Sequence, residues 1–112
     1  MNLIAIILNR EEYLETILSA FAELEVMDVT FFDGERLGMF LAHQVPIFAG
    51  LRQMVGEKKS LCKIVIALLE KRELLDKFVN LLREENIDFS TDNIGSIIVL
   101  PVNEVIRSSD TL

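Results

Sequence analysis

The chain has 112 residues, a net charge of −7 and a hydrophobic fraction of 51 %. That length suits a single domain, 1–112, with one modest core. The acidic balance argues against nucleic-acid binding, which needs a basic footprint, and against attraction to anionic lipid. With one cysteine, Cys62, and one histidine, His43, no internal disulfide can form and a metal site built on those ligands is not expected.

Leu3 to Leu8 is short, apolar and rich in β-branched residues, and reads as a buried strand. Asn9 is placed to cap a helix, with Glu12 three residues later in the capping-box position. Leu14, Ile17, Leu18, Phe21 and Leu24 follow at helical spacing. Met27 to Phe32 is the second expected strand, closed by Asp33-Gly34. Cys62 to Leu69 is the third. Its Cys62 reads as a small buried strand residue. Leu74, Leu75, Phe78, Leu81 and Leu82 give a second amphipathic helix ending near Glu85. Ser90-Thr91-Asp92-Asn93 is turn chemistry, and Ser96 to Val102 is the fourth strand.

Two equal strand–helix–strand halves form the βαββαβ pattern of a ferredoxin-like α+β sandwich: a four-stranded antiparallel sheet with two helices on one face. The first and third strands belong at its centre. The fourth belongs at an edge, which Pro101 tolerates. With both helices on one face, the other face should turn polar if it meets water. It does not. Leu3, Ala5 and Ile7 oppose Ile4, Ile6 and Leu8, and Val65, Ala67 and Leu69 oppose Ile64, Ile66 and Leu68. Something must cover the second face, most simply another copy of the chain.

The connection 35–60 is far longer than a hairpin needs, which marks it as functional. Pro46 to Val55 reads as a helix with Ile47, Phe48, Leu51, Met54 and Val55 on one stripe, ended by Gly56. Phe40, Ile47, Phe48, Leu51 and Met54 are the candidate partner-binding residues; the stripe suits packing on copies of the same chain, or a groove on a protein target. No apolar run reaches the roughly 20 residues of a spanning helix. The N-terminal run lacks a basic lead and a cleavage site. The chain is therefore read as cytoplasmic, without direct membrane insertion.

Nothing marks a catalytic centre. The glutamates and aspartates fall mostly on solvated helix faces. His43 has no evident partner, the serines lie in no nucleophile elbow, and there is no Gly-rich phosphate loop. The first turn, Asn9-Arg10-Glu11-Glu12, lacks the glycines of an acylphosphatase-type anion loop.

The stretch Gly95-Ser96-Ile97-Ile98-Val99-Leu100-Pro101-Val102-Asn103-Glu104-Val105-Ile106-Arg107 resembles, without a gap, the closing motif of the PII signal-transduction family. Ala22-Glu23-Leu24 through Val29-Thr30, and Gly34, are similar to the family's first-helix end, second strand and loop-opening glycine. The resemblance spares 35–60. It implies a homotrimer of ferredoxin-like domains whose sheets face a common centre. It also implies an adenine nucleotide, ATP or ADP, in clefts between subunits. Finally, it implies a regulator rather than an enzyme, docking its long loop on a target enzyme, transcription factor or membrane transporter.

The ligand-binding positions so implied are Asp28, Gly34, Gly95, Ser96 and Arg107. Ser96 stands where the family has a phosphate-binding Lys, Ser109 where it has a second Arg, and Asp28 where it has a Thr. Each missing cation removes a charge-assisted contact worth about 1.5–3 kcal/mol. A micromolar nucleotide site would weaken by orders of magnitude. The loop also lacks a tyrosine to modify, because the one tyrosine is Tyr13. The rival expectations are a small ferredoxin-like enzyme using a carboxylate or His43, and a structural oligomer without a ligand.

Overall fold

The computed structural model describes residues 1–44, 47, 61–91 and 93–108. Strand β1 spans Asn2–Leu8, a 3-10 turn Glu11–Tyr13, helix α1 Leu14–Glu23, strand β2 Val29–Glu35 and helix α2 Leu37–Gln44. Strand β3 spans Leu61–Leu69, helix α3 Arg72–Glu84 and strand β4 Gly95–Pro101.

The four strands form one antiparallel sheet in the order β2-β3-β1-β4. This α+β arrangement is compatible with the expected ferredoxin-like frame. The strands with the most continuous apolar runs, β1 and β3, occupy the centre, where both edges are paired. Pro101 sits at the end of edge strand β4, opposite Asn2.

The register sorts side chains by face. Ile6 is opposite both Val65 and Ile97, and Ile4 opposite Ala67 and Val99. These positions point toward the helices and, in β1 and β3, are sealed from solvent. Ile17, Ala20 and Phe21 of α1 and Leu75, Phe78 and Leu82 of α3 complete the core. Phe21 stacks on Phe78 with ring centroids 4.1 Å apart. An offset or stacked aromatic pair adds about 0.5–1.5 kcal/mol to what burial alone contributes.

Neighbouring residues point the other way. Ala5 lies between Ile66 and Ile98, Ile7 between Ile64 and Ser96, and Leu3 between Leu68 and Leu100. Thr30 and Phe32 of β2 continue this second face beside Ile66 and Ile64. Only Thr30 and Ser96 among these are polar, and no helix of the core cluster lies over them. Phe32, Ile98 and Leu100 are 46 %, 41 % and 47 % exposed.

Four expectations need correction. Asn9 does not cap the first helix. Its amide donates to the Asn93 carbonyl and Oδ1, so it ties the end of β1 to the turn before β4. The 3-10 turn has no side-chain cap, and Glu12 accepts from Arg10 instead of closing a capping box. The second strand runs from Val29 to Glu35, because Asp33 and Gly34 stay in register with Lys63 and Cys62. Lastly, residues 37–44 are helical, where no element was expected. The helix expected at 46–55 lies outside the described residues apart from Ile47, which is in a 3-10 conformation.

No helix among the described residues is long and apolar enough to cross a membrane.

Candidate functional site

The five positions implied by the resemblance divide between opposite ends of the sheet. Gly34, Gly95 and Ser96 lie at the end where β1 finishes at Leu8. Asp28 and Arg107 lie at the end where β1 begins, since the Leu68 amide donates to the Asp28 carbonyl. Six residue steps separate the two ends, about 20 Å.

Arg107 and Asp28 are brought together directly, Nη2 to Oδ2 at 2.6 Å. The contact has a geometric origin. Val102 donates to the Met1 carbonyl beyond the end of β4, and the following residues carry the chain to the start of β2. Asp28 and Arg107 thus join the two outer strands across the end of the sheet.

Both glycines are explained locally. A Cβ on Gly34 would stand 2.9 Å from Ile64 Cγ1 and 3.3 Å from Cys62 Sγ. Gly95 allows the backbone of β4 to press against Ile7. Cys62 is buried beside Gly34, as the sequence suggested for a small strand residue.

Of the partner-binding candidates, Phe40 on α2 is 38 % exposed and Ile47 is 83 % exposed. Phe48, Leu51 and Met54 lie outside the described residues. His43 falls within α2.

A feature missed in the sequence is a cleft of about 320 Å³ at the end of the sheet that holds Gly34 and Gly95. Its walls come from Leu8 through Glu12, from Asp33, and from Leu61 through Lys63. Lys63 donates to Asp33 across the β2–β3 pair at 2.5 Å. That hydrogen bond, against partial desolvation, holds the Lys63 ammonium pKa above its ordinary value. Arg10 pairs with Glu12 at 2.8 Å and lies 5.0 Å from the Tyr13 ring centroid. Asn9 Oδ1 is buried and has no hydrogen-bond partner among the described residues. The sequence signal was present in Asn9-Arg10-Glu11-Glu12, a charged turn closing an apolar strand. Pairing it with Asp33 and Lys63 required the register.

No family model matches the chain, and no curated protein matches it.

Proposed function

We propose that the chain is a divergent PII-like regulatory protein of the cytoplasm. In this reading it is a homotrimer with a ferredoxin-like frame that acts by contact with a protein target through the 35–60 connection. The observation that carries this reading is the second face of the sheet. Its central strands present Leu3, Ala5, Ile7, Ile64, Ile66 and Leu68, none of them polar. A face of this kind is costly to leave in water at about 25 cal/mol per Å² of apolar surface. Copies packed sheet toward sheet would remove it from solvent.

The separation of the five ligand positions suits the same reading. One chain holds Asp28 and Arg107 about 20 Å from Gly95 and Ser96, so a single small ligand touching all five needs two copies. A cleft between subunits brings one end of one sheet beside the opposite end of the next. The exposed Phe40 and Ile47 support a contact role for the connection.

Sedimentation at micromolar concentration tests the assembly. A species near 38 kDa is expected, three times the 12.7 kDa of one chain. Ile66→Lys, which puts a charge on the second face, should yield the monomer with its helical circular dichroism retained. A native chain that sediments as a monomer overturns the reading.

A further inference from the structure

We propose that the chain pairs edge to edge with a second copy of itself: β2 of one copy adds to β4 of the next, and Phe31 of that β2 fills the groove between α3 and β4. The pairing rests on the assembly proposed above and names the surfaces that build it.

Three observations carry it. First, both edges of the sheet are open and in phase. Asn9 donates to the Ile94 carbonyl and Val102 to the Met1 carbonyl, so Ser96, Ile98 and Leu100 are the β4 residues that bond β1. Ile97 and Val99 turn their backbone groups outward. On the other edge the Leu68 amide donates to the Asp28 carbonyl, so Thr30 and Phe32 bond β3 while Val29 and Phe31 face outward. Among the described residues neither edge strand has a second neighbour. The outward residues of both edges also lie on the helix side, level with buried Ile6 and Ile4 for β4 and buried Val65 and Ala67 for β2. Residues paired through their outward groups share a face. A joined sheet therefore keeps all helices on one side and every apolar second face on the other.

Second, the strand directions fit. The four strands alternate in direction, so β2 and β4 run opposite ways. A copy placed alongside in the same orientation brings its β2 antiparallel to β4 and continues the ladder. Such a head-to-tail contact either closes into a ring or grows into a filament. The apolar second face favours closure. A ring curled toward that face buries it in every copy, with the strands tilted and the register staggered as closing any sheet requires.

Third, the two edges are complementary. Gly95–Pro101 carries no charge, and its pairing with β1 runs through all seven residues without a bulge, so the common guards of an edge strand are missing. Beside it on the helix side is a groove of about 490 Å³ whose lining includes the apolar Leu75, Val79, Ile97 and Val99. Phe31, at the opposite edge and on the same side of the sheet, is 53 % exposed. One strand spacing of about 4.8 Å beyond β4, its ring would cover that groove.

Variants that spare the single chain test the pairing. Val99→Pro removes an N–H that no bond to β1 uses, at a position where an edge strand accepts proline. Phe31→Thr removes the exposed ring and keeps a residue that suits a strand. Both should stay folded by circular dichroism. Each should raise the concentration at half-assembly, read by sedimentation, by roughly tenfold or more. In the native assembly the outward amides of Phe31, Ile97 and Val99 should exchange more slowly than in Ile66→Lys, again by roughly tenfold or more. The proposal is overturned if either folded variant assembles like the native chain, or if those three amides exchange equally fast in the native assembly and in Ile66→Lys. Dimers lost in Val99→Pro but kept in Phe31→Thr would mean that β4 pairs with β4, which also overturns it. Either of the first two results with a native trimer removes the edges alone and leaves the shared second face standing. A native monomer overturns both readings.

Discussion

The carbonyl oxygen of Ile7 lies 2.0 Å from where a side chain on Gly95 would begin. Gly95 is also held at φ +150°, a conformation that L side chains rarely adopt. The obstruction is the backbone of β1, one of the two inner strands, which cannot move aside without breaking the β1–β4 ladder. Gly95→Ala should therefore cost on the order of 3 kcal/mol, measured by urea denaturation. Gly34→Ala offers the contrast. Its nearest neighbour is the Ile64 side chain at 2.9 Å, which can rotate, so the expected loss is about 1 kcal/mol. Equal losses at the two sites would contradict this account.

Both main helices end in the same motif, and at each the residue in the left-handed conformation is not glycine. After α1, Glu25 has φ 60° while Val26 donates to the Phe21 carbonyl. After α3, Asn86 has φ 62° while Ile87 donates to Leu82. Val26 and Ile87 are buried, which supplies the apolar contact typical of this ending. Asparagine tolerates the left-handed region, but glutamate gains nothing there. Glu25→Gly should raise stability by about 0.5–1 kcal/mol, read as a higher melting temperature. Asn86→Gly should change it less.

Most of the frame was legible because hydrophobic period alone separates its parts. β1 and β3 carry unbroken apolar runs, and α3 carries Leu75, Phe78 and Leu82 on one stripe. The two-sided apolar character of the central strands was visible for the same reason. The extent of β2 was not, because Asp33 and Gly34 look like a turn in isolation. Lys63 and Cys62, partners distant in sequence, keep them in the ladder. Asn9 was misread because its real partner, Asn93, is 84 residues away. Local capping rules cannot see such a partner. The Asp28–Arg107 contact and the Asp33–Lys63 cleft were hidden for that reason too, since each depends on register rather than on spacing.

The turn before β4 is organised by a carboxylate. Asp88 accepts from the Ser90 hydroxyl at 2.6 Å and the Ser90 amide at 2.9 Å. These bonds, the hydroxyl first, with Arg83 adding a smaller effect, hold the Asp88 pKa below its ordinary 3.8. A carboxyl group depressed on folding stabilises the fold above its unfolded pKa. That contribution is lost as pH falls through the folded pKa. Ser90→Ala should move the Asp88 titration, followed by carboxyl carbon NMR, back toward the ordinary value. The variant should be less stable than the parent at neutral pH, and the difference should shrink in acid. A difference that persists unchanged below the folded pKa would point to packing rather than to the carboxylate.

The Arg107–Asp28 contact gives the nucleotide cleft implied by the PII resemblance its most direct test. An arginine that could face a phosphate is occupied by a carboxylate from its own chain, at 2.6 Å and partly open to solvent. Such a half-exposed pair contributes only about 0–1 kcal/mol to stability, so the fold should survive its loss. Its effect on an incoming anion is larger. The phosphate must displace Asp28 from Arg107 and then sit beside a carboxylate left without its partner. Asp28→Thr removes both obstacles at once. If Arg107 belongs to a phosphate-binding cleft, ATP affinity by calorimetry should rise by roughly tenfold or more, the scale of one charge-assisted contact. Arg107→Ala placed on the Asp28→Thr background should cancel the gain. An Asp28→Thr chain with unchanged ATP affinity would show instead that the pair serves only to fasten the segment after β4 across the end of the sheet. In that case the same substitution should speed amide exchange at residues 102–107, which would keep the Val102 bond to Met1 and lose the tie to the start of β2.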